Sequence, residues 1–191
     1  PGTVASPTRD TPARKEAPVR TFPTPADEAE RLAATRALGL LDQGPEPRFD
    51  RLARIARRLF EVPMALITLV DAERVFHLAK AGVRADELPR AWSLCAHALL
   101  ETGPFVVEDA AHDPRFAFAR VVDDEPWVRF YAGLALRGPS GHRVGTICVM
   151  GHRPRPFGID DRRLLSDLAD LANEAIARTP RFQVTFGPAA L

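Results

Sequence analysis

Two side chains able to do chemistry stand close together mid-chain, in the segment Trp92-Ser93-Leu94-Cys95-Ala96-His97. A cysteine thiolate is a nucleophile and a soft metal ligand, and an imidazole can act as a base or bind a metal. The segment is predicted to form a short helix, in which positions two apart point about 200° away from each other. Cys95 and His97 are therefore not expected to face one ligand together, which argues against a shared metal site.

Further polar and aromatic candidates follow in the sequence. Charges, His112 and Pro114 interrupt every period in residues 110–125, which predicts an irregular segment or a broken helix of the kind that often carries binding residues. Side chains alternate along residues 130–136, so Tyr131 and Gly133 share a face with room for a ligand. Alternatively, Gly133 only admits a neighbouring aromatic ring. The predicted pocket residues are Trp92, Cys95, His97, Asp109, His112, Arg115, Phe116, Tyr131 and Gly133.

The elements that must position these residues follow from the spacing of apolar side chains. Spacings of three and four predict helices, whereas short apolar runs bounded by turn residues predict strands. The predicted helices cover residues 27–41, 49–60, 91–101 and 160–179, and the predicted strands cover residues 65–70, 75–79, 105–107, 130–136 and 144–150. This order predicts an α+β fold, an antiparallel sheet with helices on one face and irregular structure over the other.

Composition narrows the function classes. The chain has 191 residues, 46% of them apolar, and a formal net charge of +1, which gives no field strong enough to attract nucleic acid or an anionic membrane. Its two cysteines lie far apart and form no Cys-x-x-Cys motif, which excludes a zinc framework and favours a reducing compartment, although one disulfide stays open. The sequence shows no apolar run near 18 residues and no signal peptide, so we expect a cytoplasmic protein.

The ends of the chain differ in composition from its middle. Prolines stand at positions 1, 7, 12, 18, 23 and 25. This composition predicts a disordered, proline-rich leader over residues 1–25, because such a segment buries too little apolar surface to offset its chain entropy. The predicted domain then covers residues 26–178, and residues 179–191 form a C-terminal tail.

Five spaced motifs carry a resemblance to a known family. They are Asp71-x-x-Arg74, Ser93-Leu94-Cys95-Ala96-His97, Asp113-Pro114-Arg115-Phe116, Arg129-Phe130-Tyr131-Ala132-Gly133 and Gly145-x-x-Cys148-Val149. Together they resemble a bacterial branch of the GAF domains over residues 26–178. The resemblance implies a GAF-like, PAS-related fold with a central antiparallel sheet of five to six strands. Helices from both termini pack on one face, and a pocket helix and irregular segment cover the other.

The resemblance also implies a function. Members mostly regulate an attached kinase, cyclase or phosphodiesterase, or act alone, so we expect a non-catalytic sensor or regulatory domain in bacterial signal transduction. Its expected partners are an unidentified small molecule, a second copy contacted through the first and last helices, and a signalling protein. Fold does not supply the identity of the ligand.

Four alternatives stay open beside this expectation. Phytochrome-like members attach a bilin to a pocket cysteine, usually followed directly by histidine, but here the order is Cys-Ala-His, and Arg115 stands where some light sensors carry a second pigment cysteine. A cyclic nucleotide is a second option, although the Asn-Lys-x-Phe-Asp-Glu motif is absent. A free methionine sulfoxide reductase is a third, although its usual three cysteines are missing and Cys148 lies in an apolar run typical of inert packing. The fourth is a degenerate GAF domain, its pocket filled by its own side chains, that serves only dimerisation or protein contact.

Overall fold

A computed structural model describes residues 24–117 and 119–179. The helices are α1 (Glu28–Ala37), α2 (Pro47–Leu59), α3 (Leu94–Ala98), α4 (Arg120–Asp123) and α5 (Ile159–Ala177), with a 3-10 turn at Arg90–Trp92. The strands are β1 (Met64–Val70), β2 (Arg74–Ala81), β3 (Glu87–Pro89), β4 (Phe105–Val107), β5 (Phe130–Arg137) and β6 (Arg143–Gly151). The predicted leader and tail lie outside the described residues, apart from residues 24, 25 and 179.

The strands form one antiparallel sheet in the order β3-β2-β1-β6-β5-β4, which confirms the predicted α+β fold. Strands β5 and β6 form a hairpin, with Phe130 opposite Gly151 and Leu136 opposite Gly145. Strand β3 was not predicted, because Glu87-Leu88-Pro89 has a single aliphatic residue and ends in a proline. The central strands β1 and β6 are almost wholly buried.

The two faces of the sheet bury different cores. On one face the long helices α2 and α5 cover a large apolar cluster that includes Phe130, Ala132 and Leu136 of β5. On the other face α3 and the irregular segment cover a second cluster that includes Tyr131 and Cys148. The alternation predicted for β5 is therefore confirmed, and the second face is the one that could hold a ligand.

Helix α1 is fastened to the sheet by a buried group of charges, the Glu28 cluster, which consists of Glu28, Arg31 and Arg90. Arg31 is 1% exposed and donates hydrogen bonds to Glu28 and, at 2.7 Å, to the carbonyl oxygen of Val70 at the end of β1. Arg90 is equally buried and donates to the same carboxylate and to the Asp71 carbonyl. Partial burial raises the pKa of Glu28, but the hydrogen bonds from Arg31 and Arg90 outweigh it and lower that pKa to about 2.

Candidate functional site

The short helix α3 brings Cys95 down onto the sheet. Ser93 is the residue before the first turn of this helix, and its hydroxyl accepts a hydrogen bond from the Cys95 N–H at 3.1 Å. This cap satisfies one backbone donor that the helix itself leaves unpaired. Leu94, Cys95 and Ala98 are buried against the sheet, whereas His97 is only partly buried. The helix thus turns Cys95 inward and His97 toward the rim, as the predicted spacing requires.

Cys95 meets the second cysteine of the chain beneath α3. The two sulfur atoms lie 3.8 Å apart, and both residues are free thiols. Cys148 projects from the middle of β6, where Leu66 of β1 and Gly133 of β5 are its neighbours across the sheet. The hydrogen bond between the thiols lowers the pKa of Cys95 and raises that of Cys148, because the proton they share is held on Cys148.

A row of polar side chains crosses the same face of the four central strands. We call His77, Thr68, Thr146 and Tyr131 the polar row. The hydroxyls of Thr68 and Thr146 lie 2.9 Å apart, and Thr68 stands opposite His77 on β2. Nδ1 of His77 lies 2.8 Å from the carbonyl oxygen of Ala85, and a carbonyl can only accept a hydrogen bond. Nδ1 therefore carries the ring proton.

His77 is held as a neutral imidazole. Burial of the ring lowers the pKa of His77, because the charged form would lose its hydration. With the proton on Nδ1, the second ring nitrogen Nε2 is a free acceptor. That atom is buried and has no hydrogen-bond partner among residues 24–117 and 119–179.

Tyr131 supplies a second buried polar atom of this kind. Its side chain is wholly buried, and its hydroxyl has no hydrogen-bond partner within the described part of the chain. The ring lies over Gly133, where a β-carbon would stand only 2.3 Å from the hydroxyl oxygen. Gly133 therefore leaves room for an aromatic ring, which is the alternative to a ligand given above. Burial raises the pKa of Tyr131 far above its usual value, so the hydroxyl keeps its proton and remains a donor.

Three further predicted residues form the rim of this face. The His97 ring packs edge-on against Phe116, with ring centroids 4.9 Å apart, and the Arg115 guanidinium lies 5.1 Å from the Phe116 ring centre. Arg115 also pairs with Asp113 at 2.7 Å, which lowers the pKa of that carboxyl. Burial, and then the charge of Arg115, lower the pKa of His97. The rim therefore carries a neutral imidazole next to a paired arginine.

The remaining predicted residues lie at the surface. Trp92 is 38% exposed, and the Arg120 guanidinium stacks 4.4 Å from its ring centre. His112 is largely exposed and pairs with Asp109 at 2.7 Å. The structure thus brings Cys95, Tyr131 and Gly133 together on the buried part of this sheet face. It places His97, Arg115 and Phe116 at the rim of the same face. It does not bring His112, Asp109 or Trp92 to the buried polar row.

Sequence reasoning missed four of the six buried polar side chains on this face. His77, Thr68, Thr146 and Cys148 were not predicted as site residues, because each has apolar residues or glycine directly beside it in its strand. The available signal was one polar side chain inside each of three neighbouring apolar runs, always on the same face. That pattern is visible only after the strands are aligned in register.

Two open cavities lie away from the polar row. The larger, of about 510 Å³, is a mostly apolar groove between α1, the β5–β6 turn and the end of α5, lined by Ala33, Ala34, Leu38, Pro139, Ile176 and Thr179 among others. The second, of about 470 Å³, borders Arg31, Leu99 and Arg143. No helix within the described residues is long and apolar enough to cross a membrane.

The family model for the GAF domain matches residues 44–176 of this chain. The chain belongs to the GAF domain family. Over 152 residues this GAF domain is 39% identical to a cyclic di-GMP phosphodiesterase of Pseudomonas aeruginosa, a match that covers 79% of this chain and 26% of that enzyme. The chain therefore spans about a quarter of the length of that relative.

Solved structures of the same fold come from proteins of different function. The GAF domain of a phosphoenolpyruvate-protein phosphotransferase from Acinetobacter matches with a TM-score of 0.55 at 15% identity, covering 77% of this chain and 92% of that one. A free methionine-R-sulfoxide reductase from Neisseria meningitidis, solved with its substrate, matches with a TM-score of 0.56 at 15% identity, covering 82% and 93%. At these identities the likeness concerns the fold alone.

Proposed function

We propose that this GAF domain is a non-catalytic sensor that binds an unidentified small molecule on the polar row and signals through a dimer or a partner protein. The observation that carries the proposal is the pair of unpartnered buried atoms, Nε2 of His77 and the Tyr131 hydroxyl. Leaving such a group unpaired costs about 1–3 kcal/mol. Two on one face are costly unless the site is completed by something that binds there.

The protonation of these groups defines what they can recognise. Nε2 of His77 accepts a hydrogen bond, whereas the Tyr131 hydroxyl can donate one. The two residues stand on β2 and β5, which are three strand spacings, or about 14 Å, apart. A ligand that meets both has to lie across the central strands, with a donor toward β2 and an acceptor toward β5.

Ligand entry requires α3 to move. In this structure Leu94, Cys95 and Leu99 pack directly over the row, so the face is closed. A helix of five residues has little stability of its own and suits a cover that opens. The resemblance to a signalling enzyme of Pseudomonas aeruginosa also supports a regulatory role, although that enzyme's activity is not carried over.

Native mass spectrometry of freshly purified protein, followed by thermal shift with a metabolite panel, tests the proposal. A ligand at 100 times its dissociation constant should add about 2.7 kcal/mol to the free energy of unfolding. His77→Ala and Tyr131→Phe should each reduce that gain by about 1 kcal/mol, because each removes one hydrogen bond to the ligand, while His112→Ala, at an exposed histidine, should leave it unchanged. An undiminished gain in both row variants would refute the site.

The competing function is a degenerate GAF domain that serves only dimerisation or protein contact. The observation that favours it is the complete closure of the row by α3 and by the Tyr131 ring over Gly133. It requires that no molecule of the panel stabilises the protein and that none is found bound. The two functions are therefore separated by the same measurement.

The dimer is the second part of the proposal, with α1 and α5 as its contact. The apolar groove between these helices and the half-exposed Leu171 of α5 support it. Light scattering across a concentration range should show a dimer that Leu171→Glu dissociates. Leu59→Glu, at an equally exposed leucine of α2, is the matched control. Dissociation by the α2 variant alone would place the interface elsewhere and overturn this part.

A further inference from the structure

We propose that Cys95 and Cys148 are a redox pair, which a hydroperoxide converts into an intramolecular disulfide joining α3 to β6 and which a dithiol reductant restores. This proposal concerns a modification site and does not depend on a ligand of the polar row. It replaces the sequence-based interpretation of Cys148 as inert packing, because the structure gives Cys95 a partner thiol at 3.8 Å.

The geometry favours this bond over any other for these cysteines. A disulfide has a sulfur–sulfur distance of about 2.05 Å, so the two atoms have to approach by about 1.8 Å. Cys148 is fixed in a central strand, whereas Cys95 belongs to a helix of only five residues, which can supply that shift. The chain contains two cysteines in total, so an intramolecular disulfide can join only this pair.

The chemistry balances with a hydroperoxide as the oxidant. The Cys95 thiolate attacks the peroxide, the O–O bond breaks, and sulfenic acid and hydroxide form; the Cys95 proton neutralises the hydroxide to water. The Cys148 sulfur then attacks the sulfenic sulfur, and a second water leaves with the Cys148 proton. Two thiols thus lose two electrons to one hydrogen peroxide, which becomes two waters. Reduction returns the thiols by exchange with a dithiol.

The surroundings assign the first step to Cys95. It is 4% exposed, whereas Cys148 is completely buried, so a small oxidant reaches Cys95 first. The hydrogen bond from the Cys148 thiol lowers the pKa of Cys95, which raises its thiolate fraction.

Thiol counting on the full chain tests the pair directly. Reduced protein is treated with hydrogen peroxide, free thiols are titrated in denaturant, and the intact mass is measured. We expect both thiols to be lost together with two hydrogens, no cross-linked dimer on a non-reducing gel, and full recovery with dithiothreitol. Two surviving thiols, or a disulfide between chains, would overturn the proposal.

Single substitutions separate the roles of the two thiols. Cys148→Ser should stop disulfide formation and leave a sulfenic acid on Cys95 that dimedone traps. Cys95→Ser should leave Cys148 unreactive in the folded protein. Equal trapping in both variants would contradict the assigned order.

A third measurement needs no variant and so is independent of their folding. Wild-type protein is equilibrated in glutathione redox buffers, once folded and once in urea. Because the fold holds the sulfurs together, the disulfide should form at a glutathione disulfide level at least about tenfold lower in the folded chain. Equal levels in both conditions would show that the fold does not favour the bond.

Discussion

Replacing Tyr131 by phenylalanine tests the central structural claim, which is that its hydroxyl is buried and unpaired in the free protein. The substitution removes one oxygen and leaves the ring, whose packing against Phe105 is hydrocarbon, with ring centroids 5.9 Å apart. No cavity of methyl size results. The change therefore isolates the hydroxyl from the packing of the ring.

The magnitude follows from the burial of the hydroxyl. A buried hydroxyl without a partner costs about 1–3 kcal/mol relative to water, so Tyr131→Phe should stabilise the free protein by about 1 kcal/mol. For a domain of this size the melting temperature should rise by about 2–4 °C. Once a ligand accepts a hydrogen bond from the hydroxyl, the same substitution should weaken binding by a similar free energy.

Calorimetry of the wild type and the variant, with and without a ligand found in the screen, measures both the stability of the free protein and the stabilisation by the ligand. The expected pattern is a higher melting temperature in the free variant and a smaller ligand-induced rise. A variant that melts below the wild type without ligand would contradict an unpaired Tyr131 hydroxyl, because the hydroxyl would then have a partner in the free state.

Four further predictions concern the same scaffold. Gly133→Ala should destabilise the fold by about 1–3 kcal/mol in chemical denaturation, because its β-carbon would lie 2.3 Å from the Tyr131 hydroxyl; an unchanged midpoint would contradict the ring placement. Gly145→Ala should cost at least about as much, since its β-carbon would meet the backbone carbonyl of Thr68 at 1.8 Å and no side chain can yield there. Because the fold lowers the pKa of Glu28, its ionised carboxylate stabilises the fold above pH about 4.5, and this contribution is lost as the pH falls toward about 2. In Glu28→Gln, the free energy of unfolding should therefore fall by about 1–2 kcal/mol less between pH 4.5 and pH 2 than in the wild type, after allowance for solvent screening. The chain has a single tyrosine, so tyrosinate absorbance in an alkaline titration should appear only as the protein unfolds, because the pKa of Tyr131 is raised in the fold; reversible ionisation of the folded protein near pH 10 would contradict its burial.

The sequence predicts those parts of this fold that depend on the spacing of apolar side chains within one helix or strand. The alternation of side chains along β5 and the apolar spacing of three and four along α2 and α5 repeat over several residues, so these helices and the two faces of the sheet could be predicted. The inward direction of Cys95 relative to His97 also follows from local geometry. Strand β3 escaped prediction because Glu87-Leu88-Pro89 has a single aliphatic residue, whereas the equally short edge strand β4 is the apolar run Phe105-Val106-Val107.

The parts that could not be predicted depend on register across the sheet. Cys95 and Cys148 meet only because α3 lies over β6, and nothing in their separation along the chain indicates it. The polar row exists because Thr68 falls opposite both His77 and Thr146, which is set by the pairing of three strands. Arg31 and Arg90 are buried although arginine side chains usually remain in water. Their burial could therefore not be predicted from residue type.

The Glu28 cluster has a mechanical consequence for the opening of α3 that the proposed function requires. Arg90, held by a carboxylate of α1, precedes Ser93 by three positions, and Ser93 caps α3. Because the 3-10 turn Arg90–Trp92 between them is so short, a displacement of α3 would also move Arg90. The ion pair of Arg90 with Glu28 would then be disturbed, and water screens this pair poorly because Arg90 is buried. Displacement of α3 would then weaken the pairing of Glu28 with Arg90 at the N-terminal end of α1. If α3 opens as proposed, the stability of α1 at acid pH should differ between the protein with α3 over the sheet and the protein with α3 displaced.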